Sequence, residues 1–180
     1  MKANNYYSDQ QLIAKVDQEG NVIGKIDKWE AHKKGVLHKG FSIVLIYNDM
    51  ILLQHRKHPA FDGVLDLTIS SHPLFIDSKL QSTEDAALQA INREFKNVEL
   101  DGEIRILGFV YYKAKDPKSI YTEHEVCDLL IVKLKSIPTP NFDYAYGFSF
   151  VTKEELKNKK SRIYENLSPW SKKVLDNKLL

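Results

Sequence analysis

The sequence predicts an α+β domain, an antiparallel or mixed sheet flanked by a few helices. Three observations carry this expectation. Apolar runs of strand length recur along the chain between turn signals, the segment STEDAALQAINREF has strong helix signals, and no internal repeat or low-complexity linker divides the chain. At 180 residues the chain has the length of one domain able to bury a core, so residues 1–180 are read as a single unit.

After a polar lead-in, LIAKVDQEGNVIGKID reads as two short strands around the turn Glu19–Gly20–Asn21. Lys28 to Lys34 reads as a short helix or turn closed by Gly35. FSIVLIYNDMILLQHR is a hairpin turning at Asn48–Asp49, and GVLDLTISS is one further strand. In STEDAALQAINREF, Ser82 or Thr83 caps the helix and Glu84 and Asp85 sit where the helix dipole favours anions. Ala87, Leu88 and Ile91 are expected to form its apolar stripe. Strands follow at IRILGFVYYKA and EVCDLLIVKL. Thr152 and Glu155 have capping-box spacing at the start of another helix, and a last helix begins near Ser168–Pro169–Trp170.

Apolar residues make up 43% and charged residues 28%, with a formal net charge of +2. No basic stretch dominates, which argues against a nucleic-acid partner; Lys157–Asn158–Lys159–Lys160 reads as a solvated helix end. No apolar run is long enough to span a membrane, and MKANNYYSDQ lacks the apolar core of a signal peptide. The lone Cys127 cannot form an internal disulfide. A cytoplasmic protein without a membrane partner is expected.

Candidate metal ligands are His32 and His38 on either side of Gly35, His72 after a strand, and Glu123 and Glu125. Residues two apart on a strand share a face, so both carboxylates of TEHEV can reach one point, where they repel unless a cation or proton lies between them. Spacing alone leaves a plainer reading open, with glutamates on a solvent face and scattered surface histidines, because His-x5-His is a weak zinc signature. His55, His58 and His124 read as surface residues, His124 pointing away from its glutamate neighbours. Helical geometry places Glu94 on the side of Ala87, Ala90 and Ile91, as either a helix-end charge or an inward cation ligand. LTISSHPL leaves Ser70–Ser71–His72 open as reactive centre, metal site or strand end.

Taken together and in order, KKGVLHKGFSIVLIYN, ILLQHRK, SSHPL, STEDAALQAINREF, YYKAKDP, EHEVCD and LSPW resemble the type 1 isopentenyl-diphosphate isomerases of the Nudix superfamily, over about residues 12–172. The resemblance implies a Nudix fold and a histidine–carboxylate cage for Zn2+ or Mn2+ at His32, His38, His72, Glu123 and Glu125. It also implies a Mg2+ held by Glu94 against a substrate diphosphate, with Lys28 and Arg56 as basic contacts. Tyr112 and Glu125 match the protonating side, and Trp170 an indole over the carbocation. The implied reaction shifts a double bond between isopentenyl and dimethylallyl diphosphate, adding a proton on one face and removing another from the opposite side, in a closed, dry pocket. Its substrate is a small prenyl diphosphate.

One position departs from the pattern at the chemistry itself. Ser70 stands where the family carries a catalytic cysteine, and a serine hydroxyl is a far weaker acid that needs an adjacent base. No such base is evident nearby in the sequence, because His72 is committed to metal. Strict alternation would put Cys127 on the face of Glu123 and Glu125, on the protonating side. Impaired or altered isomerisation is therefore expected. Of the helical glutamates of the general Nudix box only Glu94 remains, with Gln89 and Ala90 replacing an arginine and a glutamate. That argues against ordinary Nudix hydrolysis, which collects several carboxylates around magnesium, and Ala90 also lacks a basic contact to the diphosphate. The alternatives are a hydrolase of another diphosphate and a non-catalytic diphosphate-binding homologue.

Overall fold

The computed structural model describes residues 5–180; the first four residues of the polar lead-in lie outside them. A 3-10 turn at Asn5–Tyr7 precedes β1 (Leu12–Val16) and β2 (Val22–Asp27), an antiparallel pair. Helix α1 (Lys28–Lys34) starts where the Asp27 side chain accepts the Glu30 N–H and ends at Gly35, whose φ of 61° is left-handed. β3 (His38–Tyr47) and β4 (Met50–Arg56) form the expected hairpin. Asn48 and Asp49 turn it at φ 47° and 59°, the two positive values that a tight hairpin turn demands.

GVLDLTISS is not one strand, which corrects the sequence reading. β5 (Leu65–Leu67) pairs with β4, whereas β6 (Ile69–Ser71) pairs with β3. Thr68 between them has φ 48°, and its hydroxyl accepts the Leu45 N–H and donates to the Leu52 carbonyl. The kink lets one apolar run serve two different strands, which periodicity does not register.

β7 (Phe75–Ile76) and β8 (Lys79–Leu80) form a small hairpin absent from the expectations. Helix α2 (Thr83–Glu94) is capped by Ser82, whose side chain accepts the Asp85 N–H. Its buried face consists of Ala86, Ala87, Ala90, Ile91 and Glu94, while Leu88 is 42% exposed. The expected stripe through Leu88 is thus corrected: at 3.6 residues per turn, position 88 lies about 100° away from position 87.

β9 (Phe95–Lys96) pairs with β12 (Thr139–Pro140). Between them run β10 (Leu100–Lys115) and β11 (Thr122–Leu134), a long antiparallel pair. Both begin before the apolar runs that announced them, because the ladder continues through polar residues. β13 (Ala145–Val151) pairs with β4. Helix α3 (Lys153–Lys157) carries the expected Thr152–Glu155 capping box. A short α4 (Arg162–Asn166) precedes α5 (Pro169–Asp176), which is capped by Ser168.

β3 organises the molecule. It runs parallel to β11 from His38 opposite Glu125 to Ile46 opposite Lys133, and antiparallel to β1, β4 and β6. Phe41, Ile43 and Leu45 pack with Ala87 and Ile91 of α2. Val44 and Ile46 share the other core with Trp170 and Val174 of α5. The pleat carries His38, Gly40 and Ser42 onto the α5 side, next to Glu125 and Cys127 of β11. Among the described residues no helix is long and apolar enough to cross a membrane.

Candidate functional site

Three structural elements deliver imidazoles to one point. His32 comes from α1, His38 opens β3 and His72 follows β6. Glu123 and Glu125 arrive from alternate positions of β11, and all five side chains are buried. One ligand atom each from His32, His38, His72 and Glu123 lie within 4.8 Å of one another. Glu125 stands at the margin of this cluster, with Oε1 2.9 Å from His72 Nε2 and 3.4 Å from His38 Nε2.

Backbone carbonyls set two of the tautomers. His32 Nδ1 lies 2.5 Å from the Lys28 carbonyl and His38 Nδ1 lies 2.7 Å from that of Val36. Only an N–H can satisfy a carbonyl, so both rings turn Nε2 into the cluster, the atom each would offer to a metal. His32 Nε2 and Glu123 Oε2 face each other at 3.0 Å, yet neither has a hydrogen-bond partner. Buried acceptors in such proximity call for a cation between them. Without one, burial pulls the His38 pKa down, but the nearby carboxylates of Glu125 and Glu123 carry it up to about 10. Burial pushes His72 down to about 3 against its Glu125 contact. A proton on His38 thus takes the place of the cation.

Gly40 makes room for this arrangement. A Cβ at that position would overlap the Glu125 carboxylate. A glycine inside a strand is a sequence signal for such close approach. Glu125 Oε2 also accepts the Tyr112 phenol at 2.6 Å. Burial and the adjacent Glu125 raise the Tyr112 pKa well above the ordinary phenol value, which keeps a proton on its oxygen. Glu125 is held down at about 2; burial opposes this, and hydrogen bonds from His38 and His72 outweigh it.

A cationic hollow adjoins the cage. Lys28, Arg56 and Arg93 meet there beside Ser70, His72 and Glu94. Lys28 Nζ donates to Gln11 Oε1 at 3.1 Å and lies 4.9 to 5.7 Å from the rings of Tyr6, Tyr7 and Trp29. Arg93 packs its guanidinium 4.0 Å over the Tyr6 ring, and its buried Nε has no hydrogen-bond partner. Glu94 is only 6% exposed, so it is not a solvated helix-end charge. Its oxygens accept from Gln54 Nε2 at 2.9 Å and from Arg93 at 2.5 Å. Tyr6 and Tyr7 also line the hollow, which is narrow, at about 10 Å³. A hollow of about 560 Å³ near Asn48, Arg105 and Thr152 is an open surface groove remote from these groups.

Next to the cage, a second group of side chains gathers hydroxyls around one carboxylate. Asp66 is fully buried, and Trp170, 1% exposed, donates Nε1–H to its Oδ1 at 2.7 Å. The Trp170 ring lies 5.8 Å from that of Tyr112. Ser70 hydrogen-bonds Asp66 and Ser42, and Ser42 lies 3.6 Å from Cys127 Sγ. Cys127 therefore does share the Glu125 face, and burial raises its thiol well above the ordinary value.

Sequence reasoning missed Asp66, Arg93 and His58. Asp66 sits inside an apolar run, and Arg93 next to Glu94 reads as an ordinary helix-end cation. His58 is half-buried rather than a surface residue, because Tyr7 stacks edge-on against it at 4.7 Å. His55 is likewise half-buried, 2.6 Å from Ser149 Oγ. His124 turns away from the glutamates as expected, toward Tyr111 and the Gly35 carbonyl.

No family model matches the chain. Curated relatives do. The chain is 29% identical to isopentenyl-diphosphate Delta-isomerase 1 of Mesocricetus auratus, covering 92% of this chain and 83% of that protein. It is 31% identical to the chloroplastic isopentenyl-diphosphate Delta-isomerase II of Arabidopsis thaliana, over 92% of this chain and 66% of that protein. Among solved structures, a MutT Nudix hydrolase from Burkholderia pseudomallei superposes with a TM-score of 0.51 at 18% identity, covering 73% of this chain and 98% of that one.

Proposed function

The chain belongs to the isopentenyl-diphosphate isomerase family and has the Nudix fold, and on that footing we propose that it is a metal-dependent enzyme interconverting isopentenyl and dimethylallyl diphosphate. The observation that carries the reading is the convergence of His32 Nε2 and His38 Nε2 with His72 and Glu123. They do so beside a pocket lined by three cations.

The imidazole-rich donor set fits Zn2+ or Mn2+ at His32, His38, His72, Glu123 and Glu125. Glu94, one buried carboxylate next to Lys28 and Arg56, would offer an oxygen ligand to Mg2+. When bound, these ions supply fixed positive charge, which neutralises the diphosphate and holds Glu125 ionised. Lys28, Arg56 and Arg93 bind the remaining phosphate charge, Arg93 supplying the contact that Ala90 lacks.

Tyr112 keeps its proton on the phenol oxygen, 2.6 Å from Glu125 Oε2, and this pair delivers a proton to the terminal alkene carbon. Trp170 offers its ring face to the positive charge that develops. Its indole N–H is held by Asp66, which fixes the ring. The aromatic cover of Tyr6 and Tyr7 excludes water, which would otherwise trap a carbocation. Ordinary hydrolysis is disfavoured because Glu94 is the lone carboxylate of its helix face.

Elemental analysis of the purified protein, followed by an isomerase assay on the same preparation, tests the reading. Bound zinc or manganese and metal-dependent formation of dimethylallyl diphosphate are expected. Release of inorganic phosphate from a diphosphate panel without isomerisation would make the protein a hydrolase. Tight binding without turnover would make it a binding module.

A further inference from the structure

The Ser70 position lacks the thiol that the family pattern carries, yet it is not chemically inert. Ser70 donates its hydroxyl hydrogen to Asp66 Oδ1 at 3.1 Å. The left-handed kink at Thr68 makes this possible, because it carries the chain from β5 to β6 between the two residues. Ser70 is half-buried and faces the pocket, whereas Asp66 is 0% exposed. Only the serine can meet a substrate, and only the carboxylate can store a proton.

The rest of the network reinforces that direction. Asp66 Oδ1 also accepts from Trp170 at 2.7 Å and from Ser171 at 3.2 Å, Ser168 donates to Ser171 at 2.6 Å, and Oδ2 accepts from Arg56 at 3.3 Å. With Ser70 donating to Asp66, Ser42, 2.8 Å away, is left to donate to Ser70. The hydroxyls then all point toward one acceptor. Burial raises the Asp66 pKa while Arg56 opposes it, and the net direction is upward, toward a stronger base.

We propose that Asp66, acting through the Ser70 hydroxyl, replaces the missing thiol as the second acid–base group, partner to Glu125 and Tyr112. The inference rests on the isomerase reading above. In the forward direction the C–H bond next to the diphosphate-bearing carbon breaks and its electron pair becomes the new double bond. The proton passes to Ser70 Oγ as the Ser70 proton passes to Asp66 Oδ1, while the Tyr112–Glu125 pair gives one proton to the terminal carbon. One proton enters and one leaves, so the step balances. The reverse reaction runs the same transfers backward.

The test compares Asp66→Asn in two backgrounds of the metal-loaded enzyme, with Ser70 and with Ser70→Cys. A thiol ionises without help, so Asp66→Asn should cut kcat at least about a hundredfold beside Ser70, but less than about tenfold beside cysteine. Adding Ser70→Ala to Asp66→Asn should cost little more, since the two act as one unit. An equal loss in both backgrounds would make Asp66 a structural anchor of Trp170 and overturn the proposal. A silent wild type with an active Ser70→Cys variant would also overturn it, while leaving the family reading standing. Silence of both would sink the two together. Carboxyl 13C NMR gives a readout independent of turnover. Ser70→Ala should raise the Asp66 pKa by removing a donor, and an unmoved titration would overturn the coupling.

Discussion

The two walls of the pocket solve the problem of buried polarity in opposite ways. On the cage wall, His32 Nε2 and Glu123 Oε2 are buried without hydrogen-bond partners. On the hydroxyl wall, Asp66 is saturated by Arg56, Ser70, Trp170 and Ser171. Unsatisfied buried groups are costly, so a fold that retains them must recover the cost through a ligand. A saturated carboxylate needs no ligand and holds its neighbours in place. The difference separates a wall built to receive a cation from a wall built to position side chains and pass a proton.

The comparison breaks most visibly if the cage is emptied. Chelation, or His72→Ala, should lower isomerase activity about a thousandfold or more and abolish stoichiometric metal in elemental analysis, because the remaining ligands cannot close the site. Full activity after exhaustive chelation would mean that the orphaned atoms have another purpose. The equivalent test of acid–base work is Tyr112→Phe, which leaves the ring and removes the proton. A loss of about a hundredfold in kcat with KM nearly unchanged is expected from steady-state kinetics.

Three smaller effects sharpen the contrast. His38 Nε2, raised to about 10 by its carboxylates against burial, must lose its proton before a metal can bind. Metal affinity should therefore rise about tenfold per pH unit between pH 7 and 9, flattening as pH passes the His38 value. Chelator-competition titrations measure this, and a flat profile would show that no proton is displaced. Arg93→Gln should weaken binding of inorganic pyrophosphate about tenfold by calorimetry. Tyr6→Ala should change it least, tightening it a few-fold by uncovering the cations.

Much of the cage could be read from residue types. Alternation on one strand put Glu123 and Glu125 on a shared face, and the local caps at Asp27, Ser82, Thr152 and Ser168 form as their side chains dictate. Leu88 failed because an apolar residue one position from a buried one was assigned to the same stripe. The hydroxyl wall was nearly illegible. Asp66 and Ser70 are four apart, a spacing with no meaning across a strand break that nothing in GVLDLTISS announces. The two possibilities left for Glu94 and for the histidines depended on direction, which spacing does not supply.

The chain by itself determined which groups were available: imidazoles and carboxylates enough for a cation, a serine in place of a thiol, and caps and turns to start and stop each element. Those are local properties, set by side-chain chemistry and a few neighbouring dihedrals. Tertiary structure alone decided that Asp66 reaches Ser70, that Glu94 turns inward beside Arg93, and that Tyr6 lies across the cations. Each of these joins separate elements, and such contacts depend on how sheets and helices pack once their apolar faces are buried.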